Sequence, residues 1–135
     1  MIHNPAFFGT WELEPSSCQY AVGQPPQEGR YQIHAANDEL RFVISWKDSG
    51  GHPNQMEFTA LPDGQRHPFQ NPALADAMQF GYKNTTILES WSFKDEKILG
   101  YTKREIINMG TKMIVTQEVE TPTSKLINRA TYKKL

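Results

Sequence analysis

The side chains that could do chemistry in this sequence are few and widely spaced. The four histidines, His3, His34, His52 and His67, show no metal-ligand spacing such as His-x₃-His. The single cysteine, Cys18, excludes a disulfide within the chain and a zinc site built from several cysteines. Neither a Gly-x-Ser-x-Gly nucleophile elbow nor a phosphate-binding glycine loop occurs. The sequence therefore names no reaction, and we expect no metal and no cofactor.

Polar residues that share a strand face with apolar ones are better candidates for contact with a ligand. Gln117 is in phase with Met113 and Val115, and Tyr132 is in phase with Ala130. A buried polar group needs a hydrogen-bond partner, and a neighbouring strand, a trapped water or a ligand could supply it.

Two further candidates can carry charge. Within residues 97–106 either Lys103 or Arg104 points inward, and the alternation leaves open which of them does. An inward cation would favour an anionic or carbonyl-bearing ligand. His67 follows a tight turn and could face the mouth of a cavity, where an imidazole could contact a ligand. A solvated histidine beside Pro68 is the competing interpretation.

Strands must position these residues, because apolar and polar residues alternate with a period of two between turn signals such as Pro62-Asp63-Gly64. About ten strands are predicted, near 8–14, 30–36, 39–47, 55–61, 64–69, 77–83, 85–93, 97–106, 112–120 and 125–133. The faces predicted to point inward carry Tyr31, Ile33, Leu40, Phe42, Ile44, Trp46, Met56, Phe58, Met78, Phe80, Met113 and Val115. The inward face of 85–93 is ambiguous.

Composition limits the classes of protein to which the chain can belong. Its 135 residues, 38% of them hydrophobic, suffice for one core and one domain over 1–135. A net charge of −1 with both signs scattered offers no broad basic surface for nucleic acid or an anionic membrane. Nothing resembles a signal peptide or a membrane span. We therefore expect a cytoplasmic protein.

An antiparallel up-and-down meander barrel of about 8–10 strands is the predicted fold. Closure of the sheet pairs its edges and turns its apolar face inward, and a β-sandwich is the competing solution. Short connections from residue 30 onward favour pairing between neighbours in sequence, except across 70–76. A helical turn is expected only at 71–77, with Asn71 as N-cap and Pro72 at its first position.

The first strand contains Gly9-Thr10-Trp11, and a Gly-x-Trp on this strand resembles that of the calycins, the lipocalins and fatty-acid-binding proteins. A Pro-rich loop at 22–26, a central block at 58–69 and the chain end at 130–134 further resemble small bacterial lipocalin-like proteins of unassigned function. This resemblance covers most of the chain and implies their barrel. It implies that Gly9 allows close approach and that Trp11 plugs the closed end. It also implies a basic residue packed over Trp11, for which Arg129 is the nearest candidate.

Two departures from the fatty-acid-binding proteins limit what the resemblance implies. Those proteins hold a carboxylate partly with an Arg-x-Tyr on the last strand, whereas here Ala130 precedes Tyr132. Their helix-turn-helix lid is replaced by the Pro-rich loop of 15–29, which cannot hold two helices. The expected molecule is an open-mouthed barrel.

The leading hypothesis is a protein that binds a small, mostly apolar or amphipathic molecule in the barrel. The predicted ligand-binding residues are Tyr31, Phe42, Ile44, Trp46, Met56, Phe58, His67, Phe80, Arg104, Met113, Gln117 and Tyr132. One rival is a metal-free isomerase or hydrolase that uses the same cavity. Another is a structural or interaction protein with a filled barrel, as a monomer or homodimer. We favour binding over catalysis, because no nucleophile is paired with a base.

Overall fold

The computed structural model describes residues 4–70, 74–120 and 122–135, and strands dominate all three ranges. The strands in chain order are β1 (Gly9–Leu13), β2 (Gln19–Tyr20), β3 (Glu28–Ala36), β4 (Glu39–Lys47), β5 (Pro53–Ala60), β6 (Arg66–Pro68), β7 (Ala77–Asn84), β8 (Ile87–Lys94), β9 (Lys97–Ile107), β10 (Lys112–Glu120) and β11 (Lys125–Lys134). Short 3₁₀ helices occur at Pro5–Phe7, Pro15–Ser17 and Asn108–Gly110. In these ranges no helix is long and apolar enough to cross a membrane.

The strands form one antiparallel sheet in the order β5-β4-β3-β1-β11-β10-β9-β8-β7-β6, with β2 added beside β11. Neighbours in sequence pair from β3 to β5 and again from β6 to β11. Strand β1 lies between β3 and β11 and joins the two ends of the chain. The sheet curls so that its apolar faces enclose a common core. The predicted all-β antiparallel meander is therefore confirmed.

The sheet has a seam between its two end strands, β5 and β6. Among the described residues no backbone ladder joins these strands. The side-chain amide of Gln70 bridges the seam instead: its Nε2 donates to Thr59 O, and its Oε1 accepts from Thr59 N, both at 3.2 Å. Phe58 and Phe69 pack edge to face beside it, with ring centroids 5.6 Å apart. The carboxamide of Gln70 thus satisfies backbone groups of β5 that pairing with a neighbouring strand was expected to satisfy.

The end of the barrel that holds Trp11 is tightly packed. Trp11 is fully buried, and its indole Nε1 donates a hydrogen bond to Phe7 O at 3.0 Å. Lys134 pairs with Trp11 in the sheet register, and its Nζ lies 5.3 Å from the centre of the indole ring. The expectation that Arg129 covers this ring is wrong, because Arg129 lies opposite Thr116, farther back along β11.

Two of the segments that connect the strands contain no regular α-helix among their described residues. The helical turn expected at 71–77 falls in part on 71–73, which lie outside the described residues, and 74–76 form turn and bend. The segment of 15–29 carries the 3₁₀ helix Pro15–Ser17 and the short β2, which pairs with β11. The loop after β1 is thus anchored to the last strand.

Tyr132 on β11 lies on the inner face of the sheet. Its ring packs edge-on against Tyr31, with centroids 5.4 Å apart. Desolvation by burial, reinforced by the nearby Tyr31, Tyr20 and Cys18, raises the pKa of Tyr132 well above its ordinary value. Its phenol therefore stays neutral throughout the physiological pH range.

We expect Trp11→Ala to lower the free energy of unfolding by about 3–5 kcal/mol, because it removes a fully buried indole and leaves a cavity. Trp91→Ala is the matched control, since Trp91 is only half-buried, beside Tyr101 on the outer face. It should cost about 1 kcal/mol. Urea denaturation measures both values, and equal losses would show that Trp11 has no special role in packing.

Tyr132→Phe should make the protein less sensitive to alkali. A pKa that is higher in the folded than in the unfolded state gives stability that is fully present below about pH 10 and falls as the pH rises further. One proton accounts for at most about 1.4 kcal/mol per pH unit. Denaturation at several pH values above 10 should show a decline shallower by about that slope in the variant. An identical decline would mean that Tyr132 ionises as freely folded as unfolded.

Candidate ligand-binding cavity

The barrel interior is filled at one end and open at the other. The filled end contains Phe7, Trp11, Ile33, Leu40, Leu88 and Met113, all fully buried. The open end holds a cavity of about 440 Å³. This volume lies within the range of small-molecule sites in proteins.

A layer of aromatic rings separates the two ends. Phe42 stacks on Phe58 with ring centroids 4.8 Å apart, and its ring lies 5.5 Å from that of Phe80. Phe42 and Phe80 are almost completely buried, whereas Phe58 also lines the cavity. These rings form the floor of the cavity.

Arg104 lies on this floor. It is only 4% exposed, and the carbon of its guanidinium group is 5.0 Å from the centre of the Phe42 ring. Its Nε donates to Tyr31 Oη at 3.0 Å, and its Nη1 donates to Ser90 Oγ at 3.1 Å. Of the two cations that the alternation left open, Arg104 is the inward one.

The charge of Arg104 has only neutral partners. Among the described residues no carboxylate forms an ion pair with it, while other arginines pair with acids at the surface. A buried guanidinium is costly unless it is paired, and hydroxyls and ring faces compensate for that cost only in part. A guanidinium has five N–H donors, so donors beyond these two bonds are available to an oxygen in the cavity.

The structure divides the predicted ligand-binding residues into three groups. Eight of them line the cavity: Tyr31, Ile44, Trp46, Met56, Phe58, Arg104, Gln117 and Tyr132. Three lie at or below the floor, namely Phe42, Phe80 and Met113, because their positions along the strands are nearer the packed end. The third group is His67 alone, which lies at neither place.

His67 lies at the seam, beside a smaller depression and not at the cavity. Its Nε2 is 3.0 Å from both carboxylate oxygens of Asp63, so the turn before β6 holds the imidazole at the seam. Desolvation opposes ionisation of Asp63, but hydrogen bonds from Gln65 N–H and His67 keep its pKa below the ordinary value. No group of three or more His, Cys, Asp and Glu that could hold a metal occurs among the described residues.

Sequence reasoning missed the serines and the threonine of the cavity wall, Ser90, Ser92 and Thr102. The serines belong to the strand whose inward face was ambiguous. The structure buries Leu88 and Ser90, and it also buries Phe93, whose ring centre lies 3.8 Å from the guanidinium carbon of Arg66. A pattern of small polar residues opposite Thr102 was the available signal, but alternation alone did not say which face was inside.

Comparison with known proteins supports the fold. No protein-family model and no curated protein matches the chain. Lipid binding protein 8 of Caenorhabditis elegans has a TM-score of 0.68 at 14% identity, with 100% of this chain and 99% of that chain covered. The Schistosoma mansoni fatty acid binding protein, in complex with arachidonic acid, has a TM-score of 0.66 at 12% identity, with 98% of each chain covered. Zebrafish ileal bile acid-binding protein, complexed with cholic acid, has a TM-score of 0.55 at 17% identity, with 96% of this chain and 99% of that chain covered. The chain therefore has the fold of the fatty-acid-binding proteins and lipocalin-like calycins.

Proposed function

We propose that this protein binds a small, mostly apolar molecule with an acidic or carbonyl head group inside the barrel. The observation that carries the proposal is Arg104, which is buried on the cavity floor and has no carboxylate partner among the described residues. An acidic ligand would supply the missing counter-charge. The structural neighbours that hold arachidonic acid and cholic acid support a ligand of this class.

Apolar side chains would hold the body of the ligand. Ile44, Met56, Phe58 and Met78 line the cavity next to the floor. Burial of apolar surface against them favours binding by about 25 cal/mol per Å². Methionine side chains also adapt to ligands of different shape.

Polar groups at the floor would hold the head group. Tyr31 accepts a hydrogen bond from Arg104 and retains its own hydroxyl proton, which it can donate to a ligand oxygen. The neutral phenol of Tyr132 lies edge-on to Tyr31 and can act as a second donor. A cation and two neutral donors together suit a carboxylate or a polarised carbonyl.

The same groups give little support to catalysis. A catalytic cavity would bring together groups whose pKa values are shifted toward neutrality. Burial instead raises the pKa of Tyr132, and it also raises the pKa of Tyr20 and Cys18 nearby. These groups stay protonated near pH 7, so they suit hydrogen-bond donation better than proton abstraction.

Filling the cavity should abolish binding. Met56→Trp adds bulk inside the barrel, so we expect the affinity for the apolar anionic dye anilinonaphthalene sulfonate to fall about tenfold or more. Gln55→Trp places the same residue one position earlier, on the exposed face, and should leave the affinity unchanged. Fluorescence titration measures both. Equal affinities in the two variants would mean that the dye binds outside the barrel.

Arg104→Met should remove the preference for an acid. Because hydrogen bonds to a charged group contribute about 1.5–3 kcal/mol, wild type should bind decanoate at least about tenfold more tightly than decanol. The variant should bind the two with similar affinity, as measured by calorimetric titration.

The stability of the same variant separates a binding role from a structural one. Replacing a buried, incompletely compensated charge by an apolar side chain of similar size is often neutral or stabilising. We therefore expect the ligand-free Arg104→Met protein to be as stable as wild type or more stable. A loss of several kcal/mol, with the preference for acid retained, would contradict the proposed function.

A further inference from the structure

A row of polar side chains crosses one wall of the cavity from strand to strand. Across β8, β9, β10 and β11, Ser90 pairs with Thr102, Thr102 with Gln117, and Gln117 with Asn128. All four line the cavity. Because paired residues share one face of the sheet and neighbouring strands are about 4.8 Å apart, their polar groups form a regular row, which we call the polar row.

The two outer members of the polar row are already engaged. Ser90 accepts a hydrogen bond from Arg104. The amide of Asn128 holds the loop before β3, because its Oδ1 accepts from Ala21 N and Val22 N while its Nδ2 donates to Val22 O. Asn128 therefore has a structural role.

The two middle members, Thr102 and Gln117, differ from the outer ones. Within 4–70, 74–120 and 122–135, no hydrogen bond of the Thr102 hydroxyl or the Gln117 carboxamide to another residue is found. Thr102 is half-buried and Gln117 is exposed, and both line the cavity. Together they present three hydrogen-bond donors and two acceptor oxygens beyond the head-group site at Arg104.

The wall opposite the polar row is mostly apolar. Strands β4, β5 and β7 contribute Ile44, Trp46, Met56, Phe58 and Met78. The cavity therefore has a polar group at Arg104, on its aromatic floor, and a polar side that runs from the floor toward the mouth. A ligand that is polar only at one end matches the floor but not the side.

We infer that the ligand is a rigid, ring-containing acid that carries hydroxyl or carbonyl groups along one edge. This inference rests on the proposed function, since the acid group is placed at Arg104. A plain alkyl chain would desolvate Thr102 and Gln117 without giving them partners, and sites with unpaired polar groups discriminate against such ligands. A rigid ligand also loses less conformational entropy than an alkyl chain, and the cavity of about 440 Å³ accommodates two or three fused rings.

Three carboxylates test this inference on the intact protein. Anthracene carboxylate is a rigid three-ring acid without oxygen on its edges, dihydroxyanthraquinone carboxylate carries two hydroxyls and a carbonyl along one edge, and dodecanoate is a plain alkyl acid. Calorimetric titration should show dihydroxyanthraquinone carboxylate to bind about tenfold more tightly than anthracene carboxylate, because two additional hydrogen bonds form. All three place the same group at Arg104, so the ratio reports on the polar row.

Variants of the polar row should change this ratio. Thr102→Val keeps the shape of the side chain and removes the hydroxyl, and combined with Gln117→Leu it should reduce the ratio to about twofold or less. The matched control combines Ile44→Val with Met56→Leu on the apolar wall, which should weaken both ring acids alike and keep the ratio. If the double variant of the row does not fold, as judged by circular dichroism, Thr102→Val alone should still lower the ratio.

Equal binding of the two ring acids to wild type, or a ratio that survives the loss of the polar row, would overturn this inference. Dodecanoate as the tightest ligand would also overturn it, and would indicate that water occupies the row. In each of these cases acids still bind, so the proposed function stands. Failure of all three carboxylates to bind wild type would overturn both.

Discussion

The buried guanidinium of Arg104 is the constraint around which the cavity of this barrel is arranged. It lies against the ring face of Phe42, where a cation gains from the aromatic quadrupole but keeps most of its desolvation cost. Tyr31 and Ser90 turn their hydroxyls toward it and so face each other across the barrel from opposite parts of the sheet. The interior is packed on one side of this group and open on the other.

This division separates the residues that pack the closed end from those that line the cavity. At the packed end, Trp11 is buried with its N–H satisfied by Phe7 O, and Lys134 covers its ring. This end can supply the burial that a small domain needs without help from a ligand. At the open end the wall residues are less completely buried, and Thr102 and Gln117 have no hydrogen-bond partner in the part of the chain that the structure describes. An occupant would therefore stabilise this end most.

Closure of the barrel rests on two different devices. On one side, β1 lies between β3 and β11 and ties the ends of the chain into continuous ladders. On the other, the carboxamide of Gln70 is hydrogen-bonded to both backbone groups of Thr59 where no ladder forms among the described residues. A side chain can leave an edge more readily than a strand can, because only two hydrogen bonds must break. The seam is therefore the weaker side of the wall.

The sequence by itself determined the strands, their alternation and the meander, because a period of two and frequent turn residues are local properties of the chain. It also predicted twelve ligand-binding side chains, of which eight line the cavity. Only the tertiary structure decided which of Lys103 and Arg104 points inward, and that Ser90 lies inside. Alternation defines two faces of a strand, but the neighbouring strands and the curl of the sheet decide which face is enclosed. The contact between His67 and Asp63 also depends on the tertiary structure, because the path of the turn before β6 brings the two side chains together. Alternation along a strand carries no information on that path.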